Sequence, residues 1–173
     1  MIIYNQAFDL YHTIFRVLVI LDRFEEGTRI EIDRIRIWDF YLLFPDQVYS
    51  LRIKRKEEEL RNIRKRFINK SKNPYEGIGE KRKVFEKIMP YQIAALNCLA
   101  SYGIIDKSFL NQQRVVLINK KLIENFRKVI DEVSDKEKNI VSLMTGFFFG
   151  LSLFGEDGLK NRTDLLESKY DAE

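Results

Sequence analysis

The sequence is poor in the residues from which disulfides and metal centres are built. Its 173 residues include one cysteine, Cys98, and one histidine, His12. A single cysteine excludes an internal disulfide and is typical of a protein from a reducing compartment. A structural zinc site needs a cluster of cysteine and histidine ligands, which this chain cannot supply. We therefore expect no metal, no other cofactor and a cytoplasmic location.

Long hydrophobic runs are also missing. Two stretches carry no charged residue, 88–105 and 139–155. Pro90, Gln92 and Asn97 interrupt the first, and the second is shorter than the roughly 20 apolar residues that a helix needs to cross a bilayer. The N-terminal apolar run follows no basic region and contains charged residues, unlike a secretory signal. The sequence therefore predicts no membrane partner.

Recognisable catalytic motifs are absent as well. His12 lies one helical turn from Asp9 and from Arg16. A catalytic histidine needs a nucleophile or carboxylate held in a cleft, which the sequence does not show, so we favour a structural role. The carboxylates at 57–59 follow one another on a charged helix, whereas acid–base pairs must converge in a cleft. The segment 77–81 contains Gly-x-Gly and a lysine but lacks the spacing of a phosphate loop. We expect no enzymatic activity, because an undescribed enzyme would need a polar cleft that the sequence does not reveal.

Apolar spacing predicts a mainly α-helical protein. The predicted helices cover residues 6–24, 29–44, 48–69, 80–89, 91–102, 121–133, 135–154 and 159–170. Asn5 precedes the first as a cap, and Ser134 with Glu137 forms a capping box before the seventh. Thr28 and Glu31 have the same spacing before the second. A β-strand is the alternative for residues 29–37, which hold four isoleucines, but their alternation is broken and favours a helix.

Residues 83–118 follow the order of the second half of a winged helix. A helix can start at Pro90 and end at Gly103, a strand can start at Ile104, and residues 114–118 can return after a turn at 111–113. A helix that reads DNA needs polar side chains facing bases and cations facing phosphates. Residues 91–102 contain no lysine or arginine, and only Gln92 and Asn97 are able to read a base. The order therefore resembles a DNA reader, while the chemistry favours a surface that contacts protein.

These elements predict one mainly α, winged-helix-like domain with a short β-hairpin wing and C-terminal helices. We divide the single domain, 1–173, into N-terminal helices (1–48), a basic helix and loop (49–79), a winged-helix-like segment (80–120) and C-terminal helices (121–173).

Positive charge is concentrated in the middle of the chain. Residues 52–87 contain 14 Lys or Arg and 6 Asp or Glu, a local net charge of +8, although the whole chain carries only +4. Such a band favours DNA phosphates or an acidic protein surface, while a solvated helix remains an equal alternative. The candidate contacts to the DNA backbone are Arg61, Arg64, Lys65, Arg66, Lys81, Arg82 and Lys83.

A stretch near the C-terminus that is rich in phenylalanine is apolar on almost every side. Residues 145–154 read Thr-Gly-Phe-Phe-Phe-Gly-Leu-Ser-Leu-Phe. In a soluble protein such a helix is buried all round, either in the core or against a second subunit. We favour the subunit, with Phe147, Phe148, Leu151 and Phe154 as the candidate partner interface.

Three stretches together resemble a known family. They are residues 4–12 (YNQAFDLYH), residues 32–45 (IDRIRIWDFYLLFP), and the C-terminal pair of segments 159–163 (LKNRT) and 170–173 (YDAE). They resemble the small middle component of ABC-three-component systems, the group that includes the Lamassu anti-phage systems. The resemblance spans nearly the whole chain.

The resemblance implies a non-enzymatic accessory subunit. Its expected partners are an SMC-like ABC-type ATPase that senses foreign DNA, an effector subunit that is often a nuclease, and double-stranded DNA reached through the complex. The alternative function is a free-standing winged-helix transcription regulator, which would be a symmetric dimer with a preferred DNA sequence.

Overall fold

The computed structural model describes residues 5–67 and 79–166. They form two compact units: unit 1 spans Met1–Asp39 and Lys87–Val133, and unit 2 spans Phe40–Glu86 and Ser134–Glu173. The predicted loop around 70–78 and the end of the last predicted helix, 167–170, lie outside the described residues.

Helices dominate both units. They are α1 (Leu10–Leu21), α2 (Ile32–Leu43), α3 (Glu58–Phe67), α4 (Lys81–Ser101), α5 (Lys107–Leu110), α6 (Lys120–Glu124), α7 (Arg127–Asp131), α8 (Asp135–Thr145) and α9 (Leu159–Thr163). Short 3-10 helices occur at Gln6–Phe8, Pro45–Ser50 and Phe147–Gly150. The strands β1 (Arg29–Glu31) and β2 (Arg114–Val116) are antiparallel. The predicted fold class, mainly α with a short hairpin, is confirmed.

The strand pair of unit 1 corrects the prediction of one helix from 29 to 44. Residues 29–31 form β1, with Ile30 opposite Val115, and α2 begins only at Ile32. Ile30 and Val115 are both buried, so the strand pairs its backbone while it fills the core with branched side chains. The hairpin that follows α4 is closed by a single antiparallel bridge between Ile105 and Leu117.

Helix α4 corrects the role predicted for Pro90. We expected a helix to start there, but Pro90 lies inside a continuous helix of 21 residues. An interior proline removes one backbone hydrogen bond and usually costs a few kcal/mol. Buried residues on both sides of it, Phe85 and Ile88 before and Ala95 after, show that tertiary packing holds this helix together.

Three further helices are shorter than the sequence pattern predicts. The predicted helix 121–133 is two short helices, because the chain breaks at Asn125, the C-terminal cap of α6. The predicted helix 135–154 has its capping box at Ser134 and Glu137, as expected, but it ends at Thr145. The predicted charged helix 48–69 is helical as α3 only from Glu58 to Phe67 among its described residues.

Each unit has its own apolar core. Unit 1 buries residues of α1, α2, α4 and β2, and Trp38 stacks on Phe24 with ring centroids 5.7 Å apart. Unit 2 buries Phe40 against Phe85 at 5.8 Å, together with apolar residues of α3, α8 and α9.

Candidate functional site

The face of α4 that would read DNA is chemically poor. Gln92 is only 2% exposed, and its side-chain amide donates to the Arg36 carbonyl oxygen (3.1 Å) and to the Asp39 carboxylate (2.8 Å). Asn97 is exposed and donates to the Ile93 carbonyl oxygen one turn earlier. Of the two polar side chains able to read a base, one is therefore committed to the interior of unit 1.

Gln92 belongs to a buried polar network. Arg16 Nε donates to Asp39 Oδ1 at 2.6 Å, and both side chains are almost fully buried. Arg36 Nε donates to Gln92 Oε1 at 3.2 Å, and its Nη1 pairs with Asp33 at 3.0 Å. Burial lowers the pKa of Arg36 from its usual value, although Asp33 opposes this. Each buried charge has a partner, so the network supports the fold of unit 1.

The candidate DNA contacts on α3 face different surroundings. Lys65 is exposed and Arg61 is half-buried, with a hydrogen bond to the Arg55 carbonyl oxygen. The Arg64 guanidinium lies 4.9 Å from the centre of the Tyr49 ring and donates to the Tyr49 carbonyl oxygen at 3.4 Å. The side chain of Arg66 lies outside what the structure describes. Lys65 is thus the candidate on this helix that the structure shows turned to solvent.

Two of the three candidate DNA contacts on α4, Lys81 and Arg82, meet the end of α9. Lys81 Nζ donates to the Thr163 carbonyl oxygen at 2.7 Å, and burial lowers the pKa of this lysine. Arg82 Nε donates to the Asp164 carbonyl oxygen at 3.0 Å, and its Nη2 pairs with the Asp164 carboxylate. Lys83 is exposed and pairs with Glu80 at 2.7 Å. Lys81 and Arg82 therefore satisfy the carbonyl groups that a helix leaves open at its C-terminus.

Charged residues near the C-terminus also pair with the stretch before α3. Arg162 is buried and holds Glu57 through two hydrogen bonds of 2.8 and 2.9 Å, which keep the pKa of Glu57 below its ordinary value. Lys54 pairs with Asp157 and lowers the pKa of that carboxyl group. Part of the basic band thus has acidic partners within unit 2, which the sequence counts could not reveal.

The candidate partner interface in unit 2 is divided between core and surface. Phe148 is 1% exposed and packs in the core, so it is not part of the surface, and Leu151 is half-buried. Phe147 and Phe154 are 43% and 47% exposed, and Phe149, which is not among the predicted interface residues, is 38% exposed. Because the chain leaves α8 at Thr145 and turns through a 3-10 helix, alternate rings point outward. We call Phe147, Phe149 and Phe154 the aromatic segment.

Unit 1 carries a second apolar surface, which the apolar pattern of the sequence does not reveal. It is a groove of about 400 Å³ with an almost wholly apolar lining. Its lining includes three exposed rings, Tyr11, Tyr102 and Phe126. Tyr11 lies on helix α1 at an apolar position of the sequence, and its 81% exposure shows that this face of the helix is not fully covered. Periodicity identifies an apolar face but not whether the fold covers it.

Residues 5–67 and 79–166 contain neither a metal-binding cluster nor a membrane-spanning helix. These ranges hold no group of three or more His, Cys, Asp or Glu side chains that could bind a metal ion. Their helices are all too short or too polar to cross a membrane.

Comparison with known proteins identifies the chain at the level of its family. A family model described as ABC-three component (ABC-3C) system Middle Component 5 matches residues 2–171. Searches of curated proteins and of solved structures returned no match. The family match confirms the resemblance as far as ABC-three-component systems are concerned, and a middle component is one part of a multi-component assembly. The chain therefore belongs to the middle component 5 family of ABC-three-component systems.

Proposed function

We propose that this protein is a non-enzymatic accessory subunit of a Lamassu-type anti-phage system. In this role it couples an SMC-like ATPase that senses foreign DNA to an effector such as a nuclease. The observation that carries the proposal is the family match over residues 2–171.

The two apolar surfaces support a coupling role. A subunit that joins two partners needs two separate contact surfaces, and exposed aromatic rings are the side chains that most often anchor such contacts. The aromatic segment lies in unit 2, and the groove with Tyr11, Tyr102 and Phe126 lies in unit 1. We assign the ATPase to the aromatic segment and the effector to the groove.

We propose that the protein contacts DNA only electrostatically, and that its contacts with protein partners are the main ones. Lys65 and Lys83 are exposed, as are Arg55 and Lys56 before α3. Such cations bind phosphates without reading sequence. The buried Gln92 supports a winged-helix-like segment that contacts protein, and it counts against the alternative of a free-standing transcription regulator.

The test is a tagged pull-down from the native host, read by mass spectrometry. Wild-type protein is compared with F147S/F154S in the aromatic segment and with Y102S/F126S in the groove. The control is M89S/I118S, which also removes two exposed apolar side chains that belong neither to the groove lining nor to the aromatic segment. Thermal unfolding of each purified variant checks that the fold is kept.

We expect wild type and control to recover an ATPase and an effector in fixed ratio. F147S/F154S should lose the ATPase, and Y102S/F126S should lose the effector, each by about tenfold or more, as expected for contacts worth over ~1.4 kcal/mol. Recovery of a wild-type dimer that carries DNA and no other subunit would contradict the proposal and favour the regulator.

A further inference from the structure

A short acidic segment of unit 2, residues 156–164, lies against the basic middle of the chain. Its two ends carry carboxylates that pair with cations: Asp157 with Lys54, and Asp164 with Arg82. Both pairs are at the surface, with the four side chains between 39% and 64% exposed. Without these carboxylates, Lys54 and the Nη2 group of Arg82 would be available to another anion, while Arg82 Nε would keep its hydrogen bond to the Asp164 carbonyl oxygen.

The segment is held in place by contacts other than these two carboxylates. Arg162 reaches Glu57 through two hydrogen bonds, and both side chains are largely buried. The Arg52 backbone N–H donates to the Arg162 carbonyl oxygen at 3.0 Å, and Arg52 Nη1 donates to Asn161 at 3.1 Å. The segment therefore has a buried anchor, which leaves Asp157 and Asp164 as exposed charges on either side of it.

We propose that this segment is a built-in competitor for DNA phosphates. Asp157 and Asp164 occupy Lys54 and Arg82, which join Lys65 and Lys83 as phosphate contacts when the carboxylates yield. A phosphate oxygen and a carboxylate oxygen are interchangeable acceptors for a lysine or arginine cation. The inference deepens the proposed function and depends on its electrostatic DNA contact.

The two ion pairs are weak enough for DNA to displace them. Exposed ion pairs contribute little to stability because solvent screens them. A duplex, by contrast, presents a dense row of phosphates and gains from the counterions it releases. DNA can therefore displace the two carboxylates without unfolding the anchor at Arg162 and Glu57, and the segment weakens DNA binding rather than abolishing it.

The proposal is tested with the full chain carrying D157N/D164N. Both changes are isosteric, and asparagine tolerates the left-handed backbone of residue 164, where φ is +54°. The matched control is D131N/E132Q, which removes two exposed carboxylates from unit 1 and raises the net charge equally. Binding to a 20-base-pair duplex is measured at several salt concentrations.

We expect D157N/D164N to bind the duplex about two- to tenfold more tightly than the control at low salt. Its plot of log affinity against log salt should be steeper by about one to two, because each added phosphate contact contributes roughly 0.9 to that slope. Adding K54Q and R82Q to D157N/D164N should remove the gain. Circular dichroism of each variant confirms that the helices are retained.

Equal affinity and equal slope in D157N/D164N and in the control would overturn the inference, since net charge would then explain any gain. Absence of binding by every variant at low salt would overturn it too. An acidic peptide that displaces the duplex more readily from D157N/D164N than from the control would overturn the assignment to DNA. The pull-down above reads partner assembly without DNA binding, so a failure there is distinguishable from a failure here.

Discussion

Asp39 is the residue on which the polar interior of unit 1 depends. It is fully buried and accepts hydrogen bonds from Arg16 and from Gln92. We expect D39A to lower the free energy of unfolding by about 3–5 kcal/mol, because it leaves the Arg16 charge buried without its partner. Chemical denaturation measures this loss. D131A, at an exposed position, should change stability by less than about 0.5 kcal/mol; equal losses would show that the network is not what supports the fold.

Glu57 makes the stability of unit 2 depend on pH. Its hydrogen bonds with Arg162 keep its pKa below the ordinary value of 4.5. A carboxyl group with a lowered pKa stabilises the folded state above its unfolded pKa, and this contribution is lost as the pH falls through the folded pKa. We therefore expect E57Q to destabilise the protein at pH 6 and to differ less from wild type as the pH falls below about 4.5.

The measurement is the free energy of unfolding of wild type and E57Q between pH 6 and pH 3. A difference between the two proteins that stayed constant over this range would show that the Glu57 carboxylate does not contribute through its charge.

The turn between the aromatic segment and α9 depends on a glycine. The backbone N–H of Leu159 donates to the Ser152 carbonyl oxygen at 2.8 Å. This closes the chain so tightly that a Cβ on Gly158 would lie 2.2 Å from the Phe154 carbonyl oxygen. A β-carbon on Gly150 would meet nothing within 4 Å. Substitution by alanine is therefore expected to lower stability at Gly158 and to leave it unchanged at Gly150, eight residues earlier.

We expect G158A to destabilise the protein by about 1–3 kcal/mol, as overpacking does, and to displace the exposed ring of Phe154. G150A should be neutral within about 0.5 kcal/mol. Thermal unfolding of both variants gives the comparison. An unchanged melting temperature for G158A would show that this turn relaxes at no cost.

Helix α4 is longer than its local sequence predicts. Pro90 and the change of composition around it predict a boundary, and the structure shows one helix from Lys81 to Ser101. Gly103, by contrast, does end this helix, with φ of +71°, and the Ile104 N–H returns to the Leu99 carbonyl oxygen. A glycine cap acts through its own backbone, so local sequence predicts it well. A proline inside a helix is tolerated only when burial on both sides outweighs its cost.

For the whole molecule, the distribution of charge and the shortage of base-reading side chains on α4 predict DNA binding that does not depend on the base sequence. We expect the full chain to bind two unrelated duplexes of equal length with affinities within about threefold of each other, because its candidate contacts are to phosphates. Competition binding at low salt measures the ratio. A transcription regulator would separate its operator from other DNA by about a thousandfold or more, and such a ratio would favour that alternative.

Local patterns and residue identity along the chain were enough to predict the helical class, the capping box at Ser134, the helix stop at Gly103 and the family. They could not determine which side chains are covered. Phe148 and Phe149 are adjacent, yet one is buried and the other exposed. Gln92 could read a base by its chemistry alone, but its side chain is hydrogen-bonded inside unit 1.

The acidic residues at 157 and 164 are about a hundred and about eighty positions from the cations they meet. Only tertiary packing decides such pairings, because burial and long-range ion pairs depend on which surfaces the folded chain brings together.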